Sequence, residues 1–170
     1  MKIIPYQKNW PQKFETEKEK LSEIFGQGAI MIEHIGSTSI PGLAAKNIVD
    51  IGILIEHAED ANKYVGELEK LGYTFNGTST ERHFFRKYQN DDNYHLSIAY
   101  QDRGSFWNRQ ILFRDFLIAN PKYTEEYQNL KKDLIEKDPT GGDEYIGGKT
   151  KFVNKVLALA GFQDPNYKTK

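Results

Sequence analysis

The stretch from Glu33 to Ile55, EHIGSTSIPGLAAKNIVDIGILI, decides how the chain is read. It begins inside a short isoleucine-rich segment, Ala29 to Ile35, bounded by Gly28 and Gly36, and it ends on Asn47 to Ile55, an apolar run interrupted at Asp50 and Gly52. Both segments have the length and β-branched content of strands. The second needs cover on both faces, which places it inside a sheet rather than at an edge. Alternation along it puts Ile48, Asp50, Gly52 and Leu54 on one face and Val49, Ile51, Ile53 and Ile55 on the other. Between the two strands lie Gly36, three hydroxyl residues (Ser37, Thr38, Ser39), Pro41-Gly42 and Lys46, a connection built of turn formers.

Upstream, Asn9 to Phe25 carries Trp10, Phe14, Leu21, Ile24 and Phe25 at helical spacings, with Asn9 as N-cap, Pro11 early and Gly26 past the end. Downstream, His57 to Leu71 has the periodicity of a helix that stops at Gly72. Three further strands are expected at Tyr73 to Phe75, Arg82 to Tyr88 and Asn93 to Tyr100, and three helices at Ser105 to Ala119, Lys122 to Lys137 and Asp143 to Leu159. Strands and helices segregated in this way predict an α+β domain with one five-stranded sheet, closed on one side by the C-terminal helices. No repeat or linker divides the chain, so residues 1–170 are read as a single domain.

Composition narrows the functional classes. With 38% hydrophobic and 13% aromatic residues among 170, the chain has the makings of a packed core and is not a disordered protein. A net charge of -1 gives no basic excess for gripping a nucleic-acid duplex. The absence of cysteine excludes disulfides, thiolate metal sites and a cysteine nucleophile. No apolar run approaches the roughly 18 residues of a membrane span, and Pro5 interrupts the start before a signal-peptide core could form, so a cytoplasmic protein without a membrane partner is expected. Oligomeric state is not legible.

Gly36 and the hydroxyls of Ser37, Thr38 and Ser39 can present backbone N–H groups and side-chain donors together, as a phosphate oxygen requires. Lys46 adds positive charge nearby; the simpler alternative is a polar turn capping a short helix. A carboxylate inside an apolar strand must be paired, metal-bound or facing a cleft, which makes Asp50 a candidate catalytic residue or else an ion-paired structural one. Gly52, on the same face, leaves room for a ligand to approach. His34 and His95 are candidates for proton transfer, with hydrogen-bonded structural roles as the alternative. Arg82 and Arg86 share one strand face and, with Lys87, can counter phosphate charge or simply face solvent. Tyr145 and Lys149 on the last helix either close the cleft or brace it.

The string EHIGSTSIPGLAAKNIVDI, together with ERHFFRK (Glu81 to Lys87), YHLSIAY (Tyr94 to Tyr100), FWNRQILFRDFL (Phe106 to Leu117) and the series Tyr145, Lys149, Phe152, resembles the GrpB (glutamate-rich protein B) family from about Pro5 to Ala160. That family is similar to the nucleotidyltransferase superfamily of the polymerase-beta type, and related domains occur fused to dephospho-CoA kinase. The resemblance implies a mixed sheet with a Gly-Ser turn after the first strand and an acid on the second, but no substrate. The superfamily pattern has two acids at alternate positions and a third on a later strand, holding two divalent cations. Here Gly36, Ser37 and Asp50 match, Gly52 stands at the second acid's place, and Ser97 replaces the second histidine of the H-x-H that GrpB relatives carry.

Residues and resemblance together imply a nucleotidyltransferase-like protein that takes a nucleotide or another phosphorylated small molecule at the Gly36–Ser39 turn beside Asp50. It would transfer a nucleotidyl group with Mg²⁺ or Mn²⁺ on Asp50 and His95. The alternative is a non-catalytic nucleotide- or anion-binding regulatory module that has lost the two-metal site. A third is a partner-binding protein with a vestigial cleft.

Overall fold

A computed structural model describes residues 2–163. Its five strands, β1 (Met31–Ile35), β2 (Val49–Ile55), β3 (Thr74–Thr78), β4 (Arg82–Gln89) and β5 (Asp92–Tyr100), form one sheet in the spatial order β1-β2-β5-β4-β3. β2 runs antiparallel to β1 and parallel to β5, and β4 is antiparallel to both β5 and β3, so the sheet is mixed. The apolar β2 lies inside it, as its composition requires.

One face buries Val49, Ile51, Ile53 and Ile55 with Phe85, Leu96 and Ile98 beneath two helices. These are α1 (Trp10–Phe25), through Trp10, Phe14, Leu21 and Phe25, and α2 (Val65–Lys70), through Leu68. Asn9 stands at the N-cap position, as expected, but has helical backbone angles and makes no side-chain capping bond. Residues expected as one helix from His57 divide into a 3-10 segment, Ala58–Tyr64, and α2. The buried residues of that segment, Ala58, Ala61 and Tyr64, recur every third position, which is the period of a 3-10 helix. Lys87 also points to this face, where its Nζ lies 2.8 Å from Glu17 Oε1 in a solvent-excluded ion pair that Tyr73 OH joins at 3.0 Å. It is therefore a core residue and not the phosphate-facing cation the sequence suggested.

The opposite face carries two cross-strand rows: Ile35, Asp50, His95 and Arg86, then Glu33, Gly52, Ser97 and Phe84. Over it lie α3 (Phe106–Ala119), α4 (Pro121–Lys137) and α5 (Asp143–Leu159), which share a second core with Ile40 and Leu43 of the β1–β2 connection. A Cβ at Gly52 would sit 3.2 Å from both the Trp107 ring and Ile35 Cδ1. The space expected above Gly52 is filled by an indole, because a long aromatic on α3 reaches the notch that a small residue leaves. The open part of this face lies one row along, at Asp50 and His95. Among the described residues, no helix is long and apolar enough to cross a membrane.

Candidate functional site

β1 ends at Ile35, and Gly36 turns the chain with φ 69°, a left-handed conformation that favours glycine. There the backbone is pressed against the Asp50 side chain. Ser37–Ser39 then form a single 3-10 turn, in which Ser39 N–H donates to Gly36 O (3.2 Å) and Ile40 N–H to Ser37 O (3.3 Å). The N–H groups of Ser37 and Thr38 take no part in those bonds, as expected for the first donors of a helical turn. Ser39 Oγ folds back onto Gly36 O at 2.6 Å.

Thr38 Oγ1 is buried and lies 2.9 Å from His34 Nε2. His34 itself belongs to the α1 side of the sheet, stacked on Phe14 with centroids 5.0 Å apart. Burial lowers its pKa to about 4, with the Asp50 charge opposing the shift and Arg114 adding to it. His34 is thus a neutral brace for the turn near pH 7.

On the cleft side, Asp50 Oδ1 stands 3.3 Å from His95 Nδ1, and the other ring nitrogen, Nε2, is 2.9 Å from Tyr88 OH. Lys131 enters from α4. Only 3% exposed, it donates from Nζ to Ala44 O at 2.5 Å, lies 3.4 Å from Ser37 Oγ and sits 4.8 Å over the Tyr127 ring. Burial first, and the neighbouring Lys149 charge second, lower its pKa to about 7. Lys149 is depressed by burial and by Lys46, with Asp50 opposing. Among the described residues, no carboxylate forms an ion pair with Lys46, Lys131, Lys149 or Arg82.

The cleft has two compartments, of about 230 and 360 Å³, that share Ser37, Asp50, His95 and Lys149 as a common wall. Thr38, Lys46, Lys131 and Tyr145 line the smaller. The larger is lined by Gly36, Arg82, Phe84, Phe106 and Arg109, among others. Arg82 donates to Ser97 Oγ at 2.7 Å and is held between the rings of Phe84 and Phe106, 4.6 Å from each. Arg109 is neutralised by Glu81 at 2.7 Å. Among the described residues, Asp50 is the only carboxylate lining either compartment.

The structure therefore gathers Gly36, Ser37, Thr38 and Lys46 with Asp50, Arg82, His95, Tyr145 and Lys149 around one cleft. Three residues singled out in the sequence lie outside its lining. His34 is on the other face of the sheet, Ser39 is turned into its own loop, and the exposed Arg86 packs over Phe84 at 5.3 Å. Tyr145 is a buried wall residue, with Lys149 Nζ 4.7 Å from its ring centroid. Lys131 and Tyr127 escape a reading of motifs. The signal that could have found them is their place on α4, where Tyr127, Lys131 and Leu134 form one buried stripe and the lysine is out of character.

Asp50 and His95 do not fit Mg²⁺ or Mn²⁺. These hard cations take several oxygen ligands, whereas among the described residues the cleft offers one carboxylate and one imidazole beside four cationic side chains without a carboxylate partner. Among the described residues, no group of three or more histidine, aspartate or glutamate side chains is placed to hold a metal ion.

A mixed five-stranded sheet with its helices on both faces, and a Gly-Ser turn packed on an acidic residue of the second strand, defines the class of α+β protein. Within it the chain belongs to the GrpB family, whose model, described as GrpB protein, matches residues 1–159. It is similar to the glutamate-rich protein GrpB of Alkalihalophilus pseudofirmus, with 34% identity over 91% of this chain and 92% of that protein. UPF0157 protein YqkA of Bacillus subtilis is 37% identical over 90% of this chain, which spans only 45% of that protein's length. The crystal structure of the conserved protein GrpB from Enterococcus faecalis superposes with a TM-score of 0.84 at 33% identity, covering 94% of this chain and 96% of that one.

Proposed function

We propose that the protein binds a nucleotide or another phosphorylated small molecule in the cleft beside Gly36–Thr38 and Asp50. The observation that carries this reading is Lys131, a buried amine with no carboxylate partner among the described residues, which faces Ser37 and shares its compartment with Lys46 and Lys149. Burying unpaired positive charge is costly, and an anion entering the compartment relieves that cost. The N–H groups left over by the 3-10 turn supply directional donors for the same anion. The resemblance of Gly36, Ser37 and Asp50 to the nucleotidyltransferase pattern supports a nucleotide as the phosphate carrier.

The contact between Asp50 and His95 favours a second reading, transfer of a nucleotidyl group to an acceptor hydroxyl. The acceptor oxygen would bond to phosphorus, pyrophosphate would leave, and the hydroxyl proton would pass to the Asp50 carboxylate. Binding is tested by calorimetric titration with ATP, pyrophosphate and sulfate. At least one of them should bind the natural chain, and Lys131→Met should weaken that binding at least tenfold. Failure of all three to bind overturns the reading. Transfer is tested by pyrophosphate release from a nucleoside triphosphate, which Asp50→Asn should abolish.

A further inference from the structure

In a two-cation transferase, acids hold the ions that neutralise the phosphates. In this cleft, the strand positions that would supply further acids or histidines are otherwise occupied. Gly52 lies under the indole of Trp107, where a Cβ would already sit 3.2 Å from the ring, and Ser97 accepts a hydrogen bond from Arg82 at 2.7 Å. The serine thus holds a cation belonging to the chain. Arg82 is fixed between two aromatic rings, which pre-organises its guanidinium. The unpaired cations are divided across the wall that carries Asp50: Lys46 and Lys131 line one compartment, Arg82 the other, and Lys149 stands at the junction.

We infer that the cleft takes a ligand with at least two linked phosphate groups, bound without a divalent cation, one phosphate neutralised by Lys131 and Lys149 and the next by Arg82 across Asp50. This rests on the reading of the cleft as a phosphate site and specifies its ligand and the source of neutralising charge. A single phosphate reaches only one compartment. A diphosphate spans the shared wall and engages both sets of cations, so affinity should rise steeply from one phosphate to two.

The test is calorimetric titration of the full chain with orthophosphate and with inorganic pyrophosphate, first in EDTA and then with Mg²⁺ in excess of the ligand. Pyrophosphate should bind in EDTA at least tenfold more tightly than orthophosphate, and Mg²⁺, which competes for the ligand, should not strengthen binding. Arg82→Gln should weaken pyrophosphate at least tenfold and orthophosphate less than threefold, since only the second phosphate needs that side chain. Arg82→Lys, which keeps the charge, should recover part of the loss and separates charge removal from a folding defect. Pyrophosphate binding that appears only with Mg²⁺ overturns this inference and leaves the phosphate site standing. Equal affinity for the two probes also overturns it. Failure of orthophosphate, pyrophosphate and ATP to bind under either condition overturns the phosphate site itself.

Discussion

A Cβ built on Gly36 would fall 2.5 Å from Oδ2 of Asp50 and 2.9 Å from its Cβ, so the turn backbone and the carboxylate are in direct contact. Gly36 has a second constraint in its positive φ of 69°. Gly42 shares the positive φ, at 80°, but has nothing within 4 Å of its Cβ position. Gly42→Ala should therefore cost about 1 kcal/mol, the conformational part alone, whereas Gly36→Ala should cost at least about 2 kcal/mol more because Asp50 must move. Urea denaturation of the two variants checks this. Equal losses would mean that the contact carries no constraint.

Acidification should expose the role of His34. Its folded pKa of about 4 lies below the ordinary 6.5, so between these values the unfolded chain binds a proton that the folded chain refuses. Stability is then lost as pH falls from 6.5 toward 4, on the order of 2 kcal/mol for this group after partial solvent screening. In His34→Gln, which keeps a polar partner for Thr38, stability should fall less steeply over that window. A profile parallel to that of the natural chain would show that His34 does not resist protonation in the folded state.

Lys131 acts in a different window. Its folded pKa of about 7 lies below the ordinary 10.5, so from pH 7 upward the unfolded chain holds a proton that the folded chain has released. Stability of the ligand-free protein should rise between pH 7 and 9, with a slope approaching about 1.4 kcal/mol per pH unit. Lys149 is depressed as well and adds in the same direction. Lys131→Met should lose most of that slope in denaturation measured at pH 7, 8 and 9. Retention of the full slope would show that Lys131 does not lose its charge on folding.

These residues also mark what the sequence reveals and what it conceals. The alternation of β2 assigns Asp50 to the face opposite Ile51, and that is where the structure has it, because a period of two is a local property of the chain. Lys87, grouped with Arg82 and Arg86 from the sequence, instead lies on the core face of β4, and the partner that holds it there, Glu17, is 70 positions away in α1. Lys131 meets Ser37 and Ala44 across 94 and 87 positions, and no local pattern announces such contacts. The covering of Gly52 by Trp107 is of the same kind. Glycine signals space, while what fills it depends on the packing of a helix from another part of the chain. The turn from Gly36 is legible as a turn, and Ser39 and His34 depart from expectation only in where their side chains point.

The cations around Asp50 are proposed to hold an anion themselves, so that the carboxylate opposes the bound charge rather than recruiting a metal for it. The most direct measurement is the affinity of sulfate, a dianion throughout the range, for the natural chain and Asp50→Asn in EDTA at pH 7. Removing the charge of a carboxylate that is 36% exposed and, among the described residues, has no ion pair beyond His95 should change stability by less than about 1 kcal/mol. Sulfate should bind Asp50→Asn severalfold more tightly than the natural chain, because the one negative charge that the described residues bring to the cleft is gone. Loss of sulfate binding in a variant that remains folded would contradict this and make Asp50 part of what holds the anion.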